Sequence, residues 1–299
     1  MFIHFLLASL GLLAAASESA RPKTFDCGTD TSHASEDFLK TIASLHGKPN
    51  AGSHAARAAL TARDTASGPI AVDAVFHIVA TSANKAKITN DMPSDQIDAL
   101  NEAYKPYDIS FNLINVTWST NDAWAVGEKP ADDEMKKSLR QGTYSTLNLY
   151  FQTDLTGGVL GRCTLPSSMG QNEPDASEYY NDGCNINANT MPKGPMNGYN
   201  AGKTAVHETG HWMGLLHTFE GYSCDGPGDF IDDTPVESTA TDGCPTSPAK
   251  RSCPDQQKPG EADPIHNYMD YSIDSCYEGF TDLQVTRMRN MWEMYRKGN

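Results

Sequence analysis

Residues 207–217 read HETGHWMGLLH, so three of the chain's nine histidines fall within eleven residues, at spacings of four and then six. On a helix, residues four apart share a face with Cβ atoms roughly 5–6 Å apart, so His207 and His211 can converge on one ion. The spacing predicts a helix over about 203–213, with Ala205, Thr209 and Trp212 forming a stripe opposite the two histidines. Continuing that helix would carry His217 away along the axis. Gly214 is placed to take the left-handed conformation that ends a helix and to return His217 to the same ion. Three protein ligands with an open fourth position are the donor set of a catalytic zinc rather than a structural one. Glu208 is then the general base and not a ligand: zinc lowers the pKa of its bound water to about 7, and a neighbouring carboxylate takes the proton and passes it to the leaving amine.

The 299 residues begin with FIHFLLASLGLLAAAS after the initiator methionine, an apolar run of signal-peptide length, too short to span a membrane comfortably. Cleavage is expected after Ala16 or Ser17, giving residues 1–17 as a signal peptide and a secreted, extracellular product. A net charge of -15 argues against nucleic acid or an anionic membrane as partner. Protein or peptide substrates and a monomeric state are the expectation. The tripeptide Asn115-Val116-Thr117 is a glycosylation sequon, which fits secretion. Seven cysteines, all beyond the leader, imply disulfides with one sulfur left over.

Residues 18–68 carry little periodicity apart from SEDFLKTIASLHG and read as a pro-segment; the catalytic domain is expected over 69–299. IAVDAVFHIVA alternates as a strand should, PSDQIDALNEAYKPY has a proline at a helix start, and ISFNLINVTW and STLNLYF are further strands. Strand and helix alternate into an α/β layout with a mixed sheet. GGVLGRCTLP suits an exposed edge strand. Little regular structure is expected over 166–203 or 218–266, the latter an Asp-, Pro- and Gly-rich region that disulfides or metal must brace. FTDLQVTRMRNMWEMYRK closes the chain as a helix with a capping box from Thr281 to Gln284. His77, in the first strand, reads as structural.

HETGHWMGLLHTF together with NYMDYSIDSC resembles the metzincin metalloproteases, and among them the pappalysin-like branch of secreted fungal and bacterial proteinases, over roughly residues 70–299. The resemblance implies an α+β fold: an N-terminal mixed sheet with two main helices, an irregular C-terminal part ending in a helix, and the cleft between. It implies that Met269 forms the turn beneath the histidines and that Tyr271 is a further zinc contact or transition-state donor. It implies that GGVLGRCTLP pairs with an extended substrate. It also implies disulfides Cys224–Cys253 and Cys244–Cys276, which leaves Cys163–Cys184 as the third pair and Cys27 free in the pro-segment. A thiolate is a strong zinc ligand, so Cys27 is a candidate latency ligand, released by cleavage near Arg57 or Arg63. Relatives carry calcium near CDGPGDFIDDTP; here Asp229, Asp232, Asp233 and Thr234 are either its oxygen ligands or part of a solvated acidic loop. Some relatives place an acidic residue immediately before the last of these cysteines to receive a basic side chain; this chain has Ser275 there and Asp274 one residue earlier, which predicts weaker selection for Arg or Lys. Two alternatives stand beside this reading. One is a gluzincin peptidase with Glu237 as third ligand; the other is a catalytically inactive module that keeps zinc for structure.

Overall fold

The computed structural model describes residues 25–29, 31–46, 68–168 and 176–299; the leader, Arg57 and Arg63 lie outside them. Five strands form one mixed sheet: β1 (Ile70–Ala80), β2 (Ile109–Thr120), β3 (Leu147–Gln152), β4 (Gly161–Cys163) and β5 (Cys184–Asn187), in the order β2-β1-β3-β5-β4. All pairings are parallel except that of β4 with β5. The short strand β4 is therefore an edge whose direction opposes the rest of the sheet.

The alternation that predicts β1 holds at its start, where Ala71 and Asp73 are exposed, and then gives way to continuous burial from Ala74 onward. Burial on both faces is what an interior strand of a helix-covered sheet requires. On one face Phe76 and Ile78 pack with Leu100 and Tyr104 of α2 (Met92–Tyr104) and with Ala205 and Val206 of α5 (Lys203–Trp212). Tyr104 Oη donates to the carbonyl of Val206 at 2.9 Å, which ties the two helices together. On the other face Val79 and Tyr150 pack under Met135 of α3 (Ala131–Leu139).

Residues 166–203 are more regular than their composition predicts. They include α4 (Ala176–Asn181) and β5, an interior strand between β3 and β4. The segment CNIN conceals this strand because its polar residues are satisfied by tertiary partners: Asn185 Nδ2 donates to Asp132 Oδ1 at 2.6 Å and to Gln152 Oε1 at 2.8 Å. Strand propensity yields to such context.

The chain ends in α6 (Asp282–Met291), opened by the Thr281–Gln284 capping box, and one wide turn, Trp292–Arg296. Met288, Trp292 and Tyr295 are buried, and Arg296 stacks on Trp212 while pairing with Asp182 at 2.8 Å. The irregular stretch before α6 is crosslinked by Cys224–Cys253 and the interleaved Cys244–Cys276, and Cys163–Cys184 joins β4 to β5. Cys27 is free and buried.

Two pieces of the N-terminal region are seated on this body. Phe25–Thr29 lies along the open edge of β4: Leu160 N donates to Asp26 O at 2.7 Å and Gly28 N to Gly161 O at 2.9 Å, in parallel sense. Helix α1 (Glu36–His46) buries Phe38 and Ile42 completely against Leu216, Met291 and Tyr295. Each such side chain stabilises the packed state by roughly 1.5–3 kcal/mol.

Candidate metal centre

Helix α5 is buried on all sides, so its histidines sit inside the protein and not on a surface. It ends in a Schellman motif: Leu215 N donates to Gly210 O at 2.9 Å and Gly214 N to His211 O at 2.8 Å, with Gly214 at φ +90°. That left-handed turn reverses the chain and brings His217 back to the helix. The Nε2 atom of His211 lies 3.2 Å from that of His207 and 3.1 Å from that of His217.

Each imidazole is oriented from behind. His207 Nδ1 donates to Tyr268 O at 2.7 Å, His211 Nδ1 donates to Leu215 O at 2.9 Å, and His217 Nδ1 lies 3.6 Å from Glu220 Oε2. With Nδ1 carrying the proton, the Nε2 lone pair is free to point at the centre. Burial, reinforced by the neighbouring histidines, pushes His207 and His211 well below the usual imidazole range. Neutral buried nitrogens aimed at one another repel unless a cation lies between them, so the donor set fits a metal ion such as zinc. Cys27 Sγ completes it at 3.5 Å from His211 Nε2, and the four ligand atoms lie within 4.8 Å of one another. Burial and the Glu208 carboxylate push the thiol well up, which a bound cation would reverse.

Glu208 is fully buried beside the cluster without being a member of it. Burial pushes its carboxyl up to about 8. Its carboxylate lies across the Cα of Gly161 in β4, and a Cβ there would overlap it. Met269 is buried under α5 with its sulfur against Gly210, so the first glycine of the histidine motif is the gap into which the methionine fits. Tyr271 Oη lies 3.4 Å from His217 Nε2; it accepts from Cys27 N at 3.0 Å and donates to Cys27 O at 3.2 Å.

The remaining candidates lie elsewhere. Glu237 is committed to Thr218, Thr241 and Lys250 and belongs to no metal-competent group among the described residues. Asp233 accepts from Thr281 Oγ1 at 2.7 Å and from Leu283 N at 2.9 Å, so it helps to cap α6. Asp229 is buried, accepts from Ile231 N at 3.0 Å, and its backbone carbonyl receives Arg287. Thr234 is buried and Asp232 exposed. Asp274 Oδ2 accepts from Ala201 N at 2.6 Å, just before α5, and Ser275 is exposed. Asn115 is exposed on β2 with its amide on Gln141. The orienting carbonyls of Tyr268 and Leu215, the Glu220 carboxylate and the space left by Gly161 escape sequence reasoning, because a backbone group or a missing side chain carries no residue-type signal.

Residues 131–293 match the family model Peptidase_M43, described as pregnancy-associated plasma protein-A. The chain belongs to this family. Its relatives include an extracellular metalloprotease of Neurospora crassa, 44% identical over 98% of this chain and 96% of its own length. Another, from Aspergillus fumigatus, is 44% identical over 86% of this chain and 84% of its own. Among solved structures, Tannerella forsythia promirolysin superposes with a TM-score of 0.66 at 23% identity, covering 90% of this chain and 94% of that one. Mature mirolysin in complex with a cleaved peptide gives 0.61 at 25%, covering 76% and 92%. The fold is thus the metzincin-like α+β arrangement that the motif implies, and the chain is a metalloprotease.

Proposed function

We propose that the chain is a secreted zinc endopeptidase made as a latent precursor, with residues 1–17 as leader, 18–68 as pro-segment and 69–299 as catalytic domain. The observation that carries this reading is the convergence of His207, His211 and His217 with Cys27, four buried ligand atoms from three separate segments. Bound there, zinc supplies Lewis-acid activation of a water and of the scissile carbonyl. Glu208 takes the proton of the attacking water and returns it to the departing amine nitrogen, a transfer its raised pKa and dry surroundings favour. Tyr271 Oη, once free of Cys27, donates to the developing oxyanion. The main-chain groups of Leu160 and Gly161 bind an extended substrate where residues 26–28 now lie.

The same geometry supports latency: Cys27 would hold the open position, while Phe25 packs at a tilt against His207 and Tyr271 with centroids 4.9 Å from each. The larger share of this chain aligned with promirolysin, 90% against 76% for the mature form, supports a pro-segment. Extracellular substrates are proposed because curated relatives are named extracellular metalloproteases. No helix among the described residues is long and apolar enough to cross a membrane.

The test is Glu208→Ala in the processed enzyme. It should keep one zinc per chain by elemental analysis and lose nearly all casein cleavage; wild-type turnover would refute the mechanism. Cys27→Ser should raise the activity of the uncut precursor, and a precursor equally active with and without Cys27 would refute the latency role.

A further inference from the structure

The groove that holds α1 is separate from the metal centre. It is formed by Leu165, Leu216, Phe230, Met291 and Tyr295, and it receives Phe38, Ile42 and Leu45 from one face of the helix. A polar clasp accompanies the apolar contact: Tyr295 Oη lies 3.0 Å from both Asp37 Oδ2 and Thr41 Oγ1, and Ser168 Oγ donates to Asp37 Oδ2 at 2.5 Å. The second anchor is Phe25–Thr29 at the histidines and along β4. Between them Thr31 Oγ1 donates to Glu220 Oε1 at 3.0 Å, so the span touches the body at Thr31.

All of these contacts are made by residues 25–46; Arg57 and Arg63 follow in the sequence, outside the described residues. Two anchors joined by a short span bind as one bivalent ligand, because release of either leaves it near its site at high effective concentration. The stretch between them, Asp30–Asp37, contains no Lys or Arg, so a protease cutting after basic residues does not separate the anchors there.

We propose that the Leu165, Leu216, Phe230, Met291 and Tyr295 groove is a metal-independent binding surface for the pro-segment helix, so that one cut within 47–67 leaves residues 25–46 in place as a bound, non-covalent inhibitor. Activation then needs a second event, a cut between the anchors or displacement of the helix. This rests on the reading of residues 18–68 as a pro-segment.

The experiment uses the full chain with a site-specific protease sequence inserted between residues 50 and 60. In a Glu208→Ala background, which prevents self-digestion, the cut N-terminal fragment should co-elute with the body at micromolar concentration in non-denaturing gel filtration. Separate elution overturns the proposal. Adding Cys27→Ser should preserve co-elution, whereas loss of the fragment there would show that the groove is no independent anchor. Ile42→Ala should speed fragment release by about tenfold or more. If that variant does not fold, Asp37→Ala, which removes the two Asp37 contacts of the clasp, should also speed release; an unchanged rate in the variant measured overturns the proposal. In the Glu208 chain, activity should stay low after the single cut, and full activity there overturns it too. A wild-type chain already active before cutting would refute the latency reading while leaving the co-elution result standing.

Discussion

Gly161 and Glu208 are 47 residues apart in sequence, yet each determines what the other can be. The glutamate carboxylate occupies the space a Cβ at 161 would need, so Gly161→Ala must displace the group proposed to handle the proton. A displacement of about 1 Å is enough to lower turnover by roughly a hundredfold. Gly161→Ala is therefore expected to lose about two orders of magnitude in kcat while retaining its metal and its unfolding midpoint. Near-normal turnover at full zinc content would show that Glu208 does not depend on that space. Gly210 makes the analogous accommodation for Met269, which explains a glycine in a helix interior where it costs about 1 kcal/mol relative to alanine.

At the scale of elements, the turn after α5 carries the centre. His217 reaches His211 only because Gly214 sits at φ +90°, where Met291 also leaves no room for a Cβ. Gly214→Ala should cost more than about 1 kcal/mol of stability, since alanine is strained at positive φ. It should also weaken zinc binding at least tenfold in competition with a chromogenic chelator, because the proposed third ligand moves with the turn. Unchanged affinity would mean that His217 is held by its Glu220 and Phe219 neighbours instead. The histidine spacing, the glycine and the terminal capping box were readable because each is a local rule about backbone geometry. Strand β5 was not, since four residues with two asparagines become a strand only when Asp132 and Gln152 supply their partners.

For the molecule as a whole, acid sensitivity follows from His77 in the middle of the sheet. It is fully buried, donates and accepts among Thr117 and Asn148, and stacks on Tyr150. Burial lowers its pKa from 6.5 to about 4. Between these values the unfolded chain binds the extra proton, so stability rises with pH across that window and is lost as pH falls from about 6.5 to 4. The full shift corresponds to about 3 kcal/mol. Urea midpoints between pH 7 and pH 4 should fall accordingly, and His77→Gln should flatten the slope; an equal slope in the variant would assign it to other groups.

The sequence by itself determined the arrangement that local spacing can encode: two histidines one helical turn apart, a glycine that turns the chain toward a third, a glutamate beside them, and the family these residues resemble. Only the tertiary structure decided what depends on distant segments meeting. The Tyr268 carbonyl orients the His207 imidazole, Gly161 makes room for Glu208, Cys27 arrives at the histidines from 180 residues away, and α1 finds a groove built from three parts of the chain. Local geometry repeats with a period that residue types record, whereas a contact across the fold is fixed by packing and by the satisfaction of buried polar groups, and neither leaves a pattern along the chain.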